Sequence, residues 1–167
     1  GLLIASIRDP DPVIFFEPKR IYRAFREPVP NEAYTLPIGK ARVVTEGTDL
    51  TVVAWGAMVV EAAKAAEQSD ASVELIDLRT ISPLDEDTIL ASVEKTGRCV
   101  ICQEAPLTLG LASEISSLVT ERCFLHLEAP VQRVAGFDTI MPYYKLEMEY
   151  LPGPDRISAA IDETLRY

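Results

Sequence analysis

The chain has 167 residues, 48% of them hydrophobic and 25% charged, which suits one ordinary globular domain with a sizeable core and argues against disorder. Lys and Arg number 16 against 26 Asp and Glu, a net charge of −10. That charge repels phosphate backbones, so nucleic acid is not an expected partner, and a basic protein module fits better. No apolar run approaches the roughly 18 residues of a membrane span. Three cysteines do not make a disulfide framework. The expected setting is the cytoplasm, or the mitochondrial matrix in a eukaryote.

In chain order, Gly1 to Arg8 reads as the end of a helix, with no initiating Met, as expected of a truncated or processed product. Asp9-Pro10-Asp11-Pro12 is a turn, because each proline disfavours helix in the residue before it. Val13 to Phe16 is a short apolar run that predicts a buried strand. Glu17 to Pro37 is rich in proline and charge and reads as a surface linker. Ala41 to Thr45 and Leu50 to Trp55 are β-rich runs around Glu46-Gly47-Thr48-Asp49, which predicts a hairpin.

A regular alternation follows. Helices are predicted at Ala57 to Gln68, Asp85 to Lys95, Leu109 to Glu121 and Asp155 to Arg166. Strands are predicted at Val73 to Ile76, Arg98 to Cys102 and Val131 to Ala135, with a turn at Ser82-Pro83. This order implies βαβ units, and so an α/β fold: a three-layer α/β/α domain with a mostly parallel sheet from about Ala41 onward.

Few residues suggest chemistry. Cys99 and Cys102 with Cys123 and His126 have ligand types that suit zinc. Cys99 and Cys102 fall three apart on a predicted strand, however, and so point to opposite faces. Bound zinc is therefore not expected, nor is a redox Cys-x-x-Cys, which belongs at a helix N-terminus. His126, the only histidine, has no visible catalytic partner and reads as a surface or interface residue. Gly56 and Gly110 read as turn and cap glycines, and Asp85 to Asp87 as acids that complement a helix dipole. Gly-rich phosphate loops and Gly-x-Ser-x-Gly elbows are absent.

Several stretches resemble one family, in order and spacing, over nearly the whole chain. They are Val13-Ile14-Phe15-Phe16-Glu17-Pro18-Lys19 with Tyr22-Arg23, Thr51-Val52-Val53-Ala54-Trp55-Gly56, Glu74-Leu75-Ile76-Asp77-Leu78-Arg79-Thr80 with Ser82-Pro83, Lys95-Thr96-Gly97-Arg98, Glu104-Ala105-Pro106, Ala112-Ser113-Glu114-Ile115 and Glu128-Ala129-Pro130-Val131. The chain is similar to the C-terminal, transketolase-like domain of β subunits of thiamine-diphosphate-dependent 2-oxo acid dehydrogenases. Ala54-Trp55-Gly56 and Glu104-Ala105-Pro106-Leu107-Thr108 look more like the branched-chain enzymes. Pyruvate and acetoin dehydrogenases, or a non-catalytic α/β interaction module, are the alternatives. Gln103 stands where the family usually has His, and Leu109-Gly110 where it often has Gly-Gly.

The resemblance implies a division of the chain: residues 1–18 as the remnant of a pyrimidine-binding domain, 19–40 as a linker, and 41–167 as the transketolase-like domain. It implies thiamine diphosphate and magnesium in the intact complex, with no catalytic or thiamine-binding residue on this chain, which alone is expected to be inactive. It also implies part of a monovalent-cation site, with potassium as a candidate ion, at Ser6, Asp9 and Asp11. The implied partners are the α subunit, a second β subunit, and the basic peripheral-subunit-binding domain of the lipoyl acyltransferase. Glu128 and the terminal carboxylate of Tyr167 are the candidates for receiving that last domain.

Overall fold

The computed structural model describes residues 1–167. Its helices are α1 (Leu2–Arg8), α2 (Met58–Gln68), α3 (Glu86–Thr96), α4 (Leu111–Cys123), α5 (Glu147–Tyr150) and α6 (Pro154–Thr164). The strands β1 (Arg42–Thr45), β2 (Leu50–Ala54), β3 (Val73–Asp77), β4 (Cys99–Pro106) and β5 (Gln132–Gly136) form one sheet in the order β1-β3-β2-β4-β5. β2 pairs in parallel with β3 and β4, and β4 with β5; β1 alone is antiparallel, on β3. The α/β class and the mostly parallel sheet are as the alternation of periods implies.

Helices cover both faces of the sheet. On one face, α2 and α6 pack Met58, Ala62, Ala65, Ile157 and Ile161 over Val52, Leu75, Val100 and Val134. On the other, α3 and α4 pack Ile89, Val93, Ile115 and Val119 over Val53, Ile76 and Ile101. A strand between two such layers has no polar face, and all five residues of β2 are buried. Ile157 and Ile161 lie one helical turn apart in α6, and each fully buried side chain contributes about 1.5–3 kcal/mol. Pro154 starts that helix where no N–H is needed. Gly97 ends α3 in the left-handed conformation at φ 70°, donating its N–H to the Val93 carbonyl.

Two expectations fail. Val13 to Phe16 forms no strand; the segment is irregular and open to solvent, with Ile14 and Phe16 80% and 87% exposed. An apolar run becomes a strand only where it pairs with a neighbouring strand, and this segment pairs with none. The hairpin also fails. Both edges of β2 are taken by β3 and β4, so β1 turns away to the outer edge of β3, and the Glu46–Asp49 turn folds against Ser72. The short α5 and two 3₁₀ turns, Lys19–Ile21 and Phe124–His126, carried no periodic signal strong enough to predict.

Candidate functional site

The chain passes from β2 through α2 to β3, then crosses the opposite face through α3 to β4 on the other side of β2. The sheet order therefore reverses between β2 and β4, and sheets of this kind hold ligands at the carboxyl ends of such strands. At the end of β4, Gln103 is fully buried. Its Oε1 accepts the Ala112 N–H at 2.8 Å, and its Nε2 donates to the carbonyls of Pro106 at 2.7 Å and Ala105 at 3.3 Å. It thus serves α4 as an N-cap supplied from the strand, which the helix lacks locally. A Cβ on Gly110 would lie 1.9 Å from Gln103 Nε2, so the cap requires glycine there.

The rest of this loop is equally tied. The Thr108 hydroxyl and N–H both donate to Asp138, which holds its carboxyl below the usual range. Arg133 donates to the Leu107 carbonyl and the Ser113 hydroxyl. Leu109, at φ 60° and 97% exposed, stands at the tip. The loop's polar groups thus hold one another and do not converge on a ligand. Gly56, at φ 57°, turns the chain after β2, in line with the turn role read for it.

Across the same edge, Arg20 reaches from the segment before the domain, donating Nη2 to Glu61 at 2.8 Å and Nη1 to Glu104 at 3.1 Å. Nothing in the sequence reading marked Arg20, whose partners lie far along the chain.

Cys99 packs among the residues beneath α3 and α4, and Cys102 among those beneath α2 and α6, on opposite faces as their spacing requires. Burial pushes the Cys102 thiol up to about 12 and the Cys99 thiol in the same direction. Cys123 is buried at the end of α4. His126 follows in the adjoining 3₁₀ turn.

The opposite edge carries Glu128, beside Gly97 just before β4. Glu128 donates its N–H to the Gly97 carbonyl, and its carboxylate takes Arg98 Nη1 at 2.6 Å. Its side chain remains 60% exposed. Arg156, in the first turn of α6, donates to the Ala135 carbonyl, so this helix begins beside the carboxyl end of β5. Tyr167 follows the far end of this helix and is 66% exposed. Near the start of the chain, Ser6 donates its hydroxyl to the Leu2 carbonyl, and Asp9 accepts the Asp11 N–H at 3.0 Å. Asp9 and Asp11 thus share one turn, immediately after the helix that carries Ser6.

Residues 39–157 match the family model described as "Transketolase, C-terminal domain". The chain belongs to this family. Among curated proteins it is 54% identical over 164 residues to the pyruvate dehydrogenase E1 component subunit beta of Acholeplasma laidlawii, covering 96% of this chain and 50% of that protein. It is 53% identical over 171 residues to the mitochondrial 2-oxoisovalerate dehydrogenase subunit beta of Dictyostelium discoideum, covering 100% of this chain and 46% of that protein. The chain spans about half the length of the curated relatives it matches. Among solved structures it is similar to a split-gene transketolase described as an inactive β4 tetramer, at a TM-score of 0.65 and 26% identity, over 80% of this chain and 43% of that one.

The chain exposes much apolar surface, both before its transketolase C-terminal domain and within it. Ile7, Ile14, Phe16 and Val29 stand out on the first segment, and Ile140, Tyr143 and Tyr144 in the loop between β5 and α5.

Proposed function

We propose that this chain is the C-terminal part of the β subunit of the decarboxylating component of a 2-oxo acid dehydrogenase complex. Identity above half along essentially the whole chain to two such β subunits carries this reading. The whole enzyme, a heterotetramer of two α and two β subunits, oxidatively decarboxylates branched-chain 2-oxo acids and passes the acyl group to lipoyl. Residues 41–167 serve assembly and docking, residues 19–40 are a linker, and residues 1–18 belong to a pyrimidine-binding domain. The setting is cytoplasmic, or the mitochondrial matrix in a eukaryote.

The branched-chain preference rests on Ala54-Trp55-Gly56 and Glu104-Ala105-Pro106-Leu107-Thr108, at the carboxyl ends of the neighbouring strands β2 and β4. Pyruvate is the second reading, favoured by the identity to the Acholeplasma protein. The test is to combine the complete β subunit with its α subunit, thiamine diphosphate and magnesium, and follow reduction of an artificial electron acceptor. We expect kcat/KM to be highest for 3-methyl-2-oxobutanoate. A higher value for pyruvate moves the assignment to the second reading, and no turnover of any 2-oxo acid overturns both.

Bound thiamine diphosphate supplies the stabilised carbanion that such a decarboxylation needs. The residues present do not fit it. Magnesium diphosphate calls for converging oxygen donors, and no group of three or more His, Cys, Asp or Glu side chains converges in residues 1–167. As the family resemblance implies, the α subunit is the proposed holder of diphosphate and magnesium. Ser6, Asp9 and Asp11 are proposed as one side of a potassium site, since each keeps oxygen lone pairs beyond its present hydrogen bond.

Glu128 and the carboxylate of Tyr167 are proposed to receive the basic docking domain of the acyltransferase. Glu128 is exposed and already paired with Arg98, so Glu128→Ala in the complete heterotetramer is expected to weaken docking by only about 1 kcal/mol, roughly fivefold. Deleting Tyr167 is also expected to weaken it, and both losses should shrink as salt screens the pairs. Titration calorimetry with the isolated docking domain checks this; wild-type affinity in both variants at low salt rejects the assignment.

A further inference from the structure

Arg98 and Glu128 meet because the backbone of each is already fixed. Gly97 ends α3 in the left-handed conformation, and the chain turns at once into β4. The Arg98 carbonyl accepts the Thr51 N–H at 2.9 Å and the Thr96 hydroxyl at 3.1 Å, which ties it to β2 and to the end of α3. The Glu128 N–H is held by the Gly97 carbonyl at 2.8 Å. Its side chain lies close against Gly97, where a Cβ would stand 2.9 Å from Glu128 Cγ and 3.0 Å from Cδ. That approach leads the carboxylate to Arg98 Nη1, at 2.6 Å.

The two partners gain unequally from the pair. The Arg98 side chain is 21% exposed, its Nε is buried without a hydrogen-bond partner, and Glu128 is the one carboxylate that pairs with it. A guanidinium so enclosed is costly to leave alone. Glu128, at 60% exposure, would be well solvated without help. For Glu128 the consequence is electrical. Its charge is part of a net −10 that favours basic partners, yet Arg98 cancels it on the spot. A basic partner arriving here meets a neutral pair, with a second cation beside its target.

We propose that Arg98 masks Glu128: the intramolecular pair competes with the basic docking domain for one carboxylate, and holds docking severalfold weaker than a free Glu128 would. This inference rests on the docking role proposed for Glu128 above. The competition attenuates and does not block, because a partly exposed pair is weak and the carboxylate keeps lone pairs on Oε1. Displacing Arg98 outright would strand its half-enclosed charge, so the arriving cation shares the carboxylate with it.

The complete heterotetramer carrying Arg98→Gln tests it, by titration calorimetry with the isolated basic docking domain at low and high salt. Glutamine keeps the backbone bonds of residue 98 and removes only the charge. Binding should tighten by roughly fivefold at low salt, and the gain should fade as salt screens the charges. With Glu128→Gln already present, Arg98→Gln should leave affinity unchanged, because no charge remains to unmask. Should Arg98→Gln not assemble, Arg98→Lys gives the reading: its shorter stem and single ammonium pair less well, so a smaller gain in the same direction is expected. Unchanged or weaker binding by the Arg98 variants overturns the mask, while the docking role stands so long as Glu128→Ala weakens binding in the same titration. An equal gain with and without Glu128→Gln also overturns it, since Arg98 then acts only as a repelling charge. Wild-type affinity in Glu128→Ala, both alone and with Arg98→Gln, removes the docking reading and the mask with it.

Discussion

Replacing Gly47 by alanine is expected to destabilise the domain by more than about 3 kcal/mol, at the upper end for an overpacking substitution. Gly47 lies buried in the turn between β1 and β2, pressed against the entry to β3. A Cβ there would lie 2.3 Å from the Glu74 nitrogen and the Val73 carbonyl carbon, and 2.5 Å from the Ser72 oxygen. These are backbone atoms, so no rotamer change can make room. The turn would have to lift, breaking the hydrogen bonds from Thr48 and Asp49 N–H to the Ser72 carbonyl. Those bonds set where β2 enters its register with β3, Leu50 opposite Val73. Gly47 N–H also donates to Glu74, a buried carboxylate paired with Lys95, so lifting the turn removes one of its partners. Urea denaturation measures the loss. An alanine variant within about 1 kcal/mol of wild type would contradict the close approach.

How far the sequence alone could reach depends on the range of the interactions involved. β2 and β4 were legible because strands buried on both faces read as continuous apolar runs, and α6 because Ile157 and Ile161 recur at helical spacing. The partner of β1 was not legible. The local turn signal at Glu46–Asp49 is real, but the neighbours of β2 are decided by β3 and β4, far along the chain. Val13 to Phe16 shows the same limit, since composition suggested a strand and the segment pairs with no strand of the sheet. At the candidate sites, Glu128 and Tyr167 were chosen through resemblance, and nothing local showed that Glu128 already holds Arg98. Gln103 was noticed only as a departure from the family; its capping of α4 depends on how the loop folds back. Arg20 looked like any linker charge, because Glu61 and Glu104 lie 41 and 84 residues further on.

Asp85 joins two such levels, a local bond to the first turn of α3 and a remote clamp, and Asp85→Ala is expected to cost about 3 kcal/mol at neutral pH. Its position before α3 was legible as that of a helix-starting acid. The structure adds that its side chain is only 2% exposed and accepts the Ala41 N–H at 2.9 Å, the Thr88 hydroxyl at 2.8 Å and Lys40 Nζ at 3.2 Å. Alanine there leaves a part-buried N–H unpaired, removes the acceptor of the Thr88 hydroxyl, and releases the segment that leads into β1. Burial pushes the Asp85 carboxyl upward, but the Ala41 N–H, the Thr88 hydroxyl and Lys40 outweigh it and hold the group below its ordinary 3.8. A carboxyl depressed in the folded state binds protons more weakly there than in the unfolded chain. Its stabilisation is therefore complete above pH 3.8 and is lost as pH falls through the lower, folded value. Glu74, held below 4.5 against its burial by Lys95, Ser92 and Gly47, acts with the same sign. Asp77, raised by burial, acts with the opposite one. Asp85→Asn keeps the shape and an acceptor but removes the charge. The gap in stability between wild type and Asp85→Asn should accordingly be widest near pH 7 and narrow progressively below about pH 4. Urea unfolding at a series of pH values measures it. A gap that stays constant down to the acid limit would mean that the Asp85 charge contributes nothing, and that shape alone holds the start of α3.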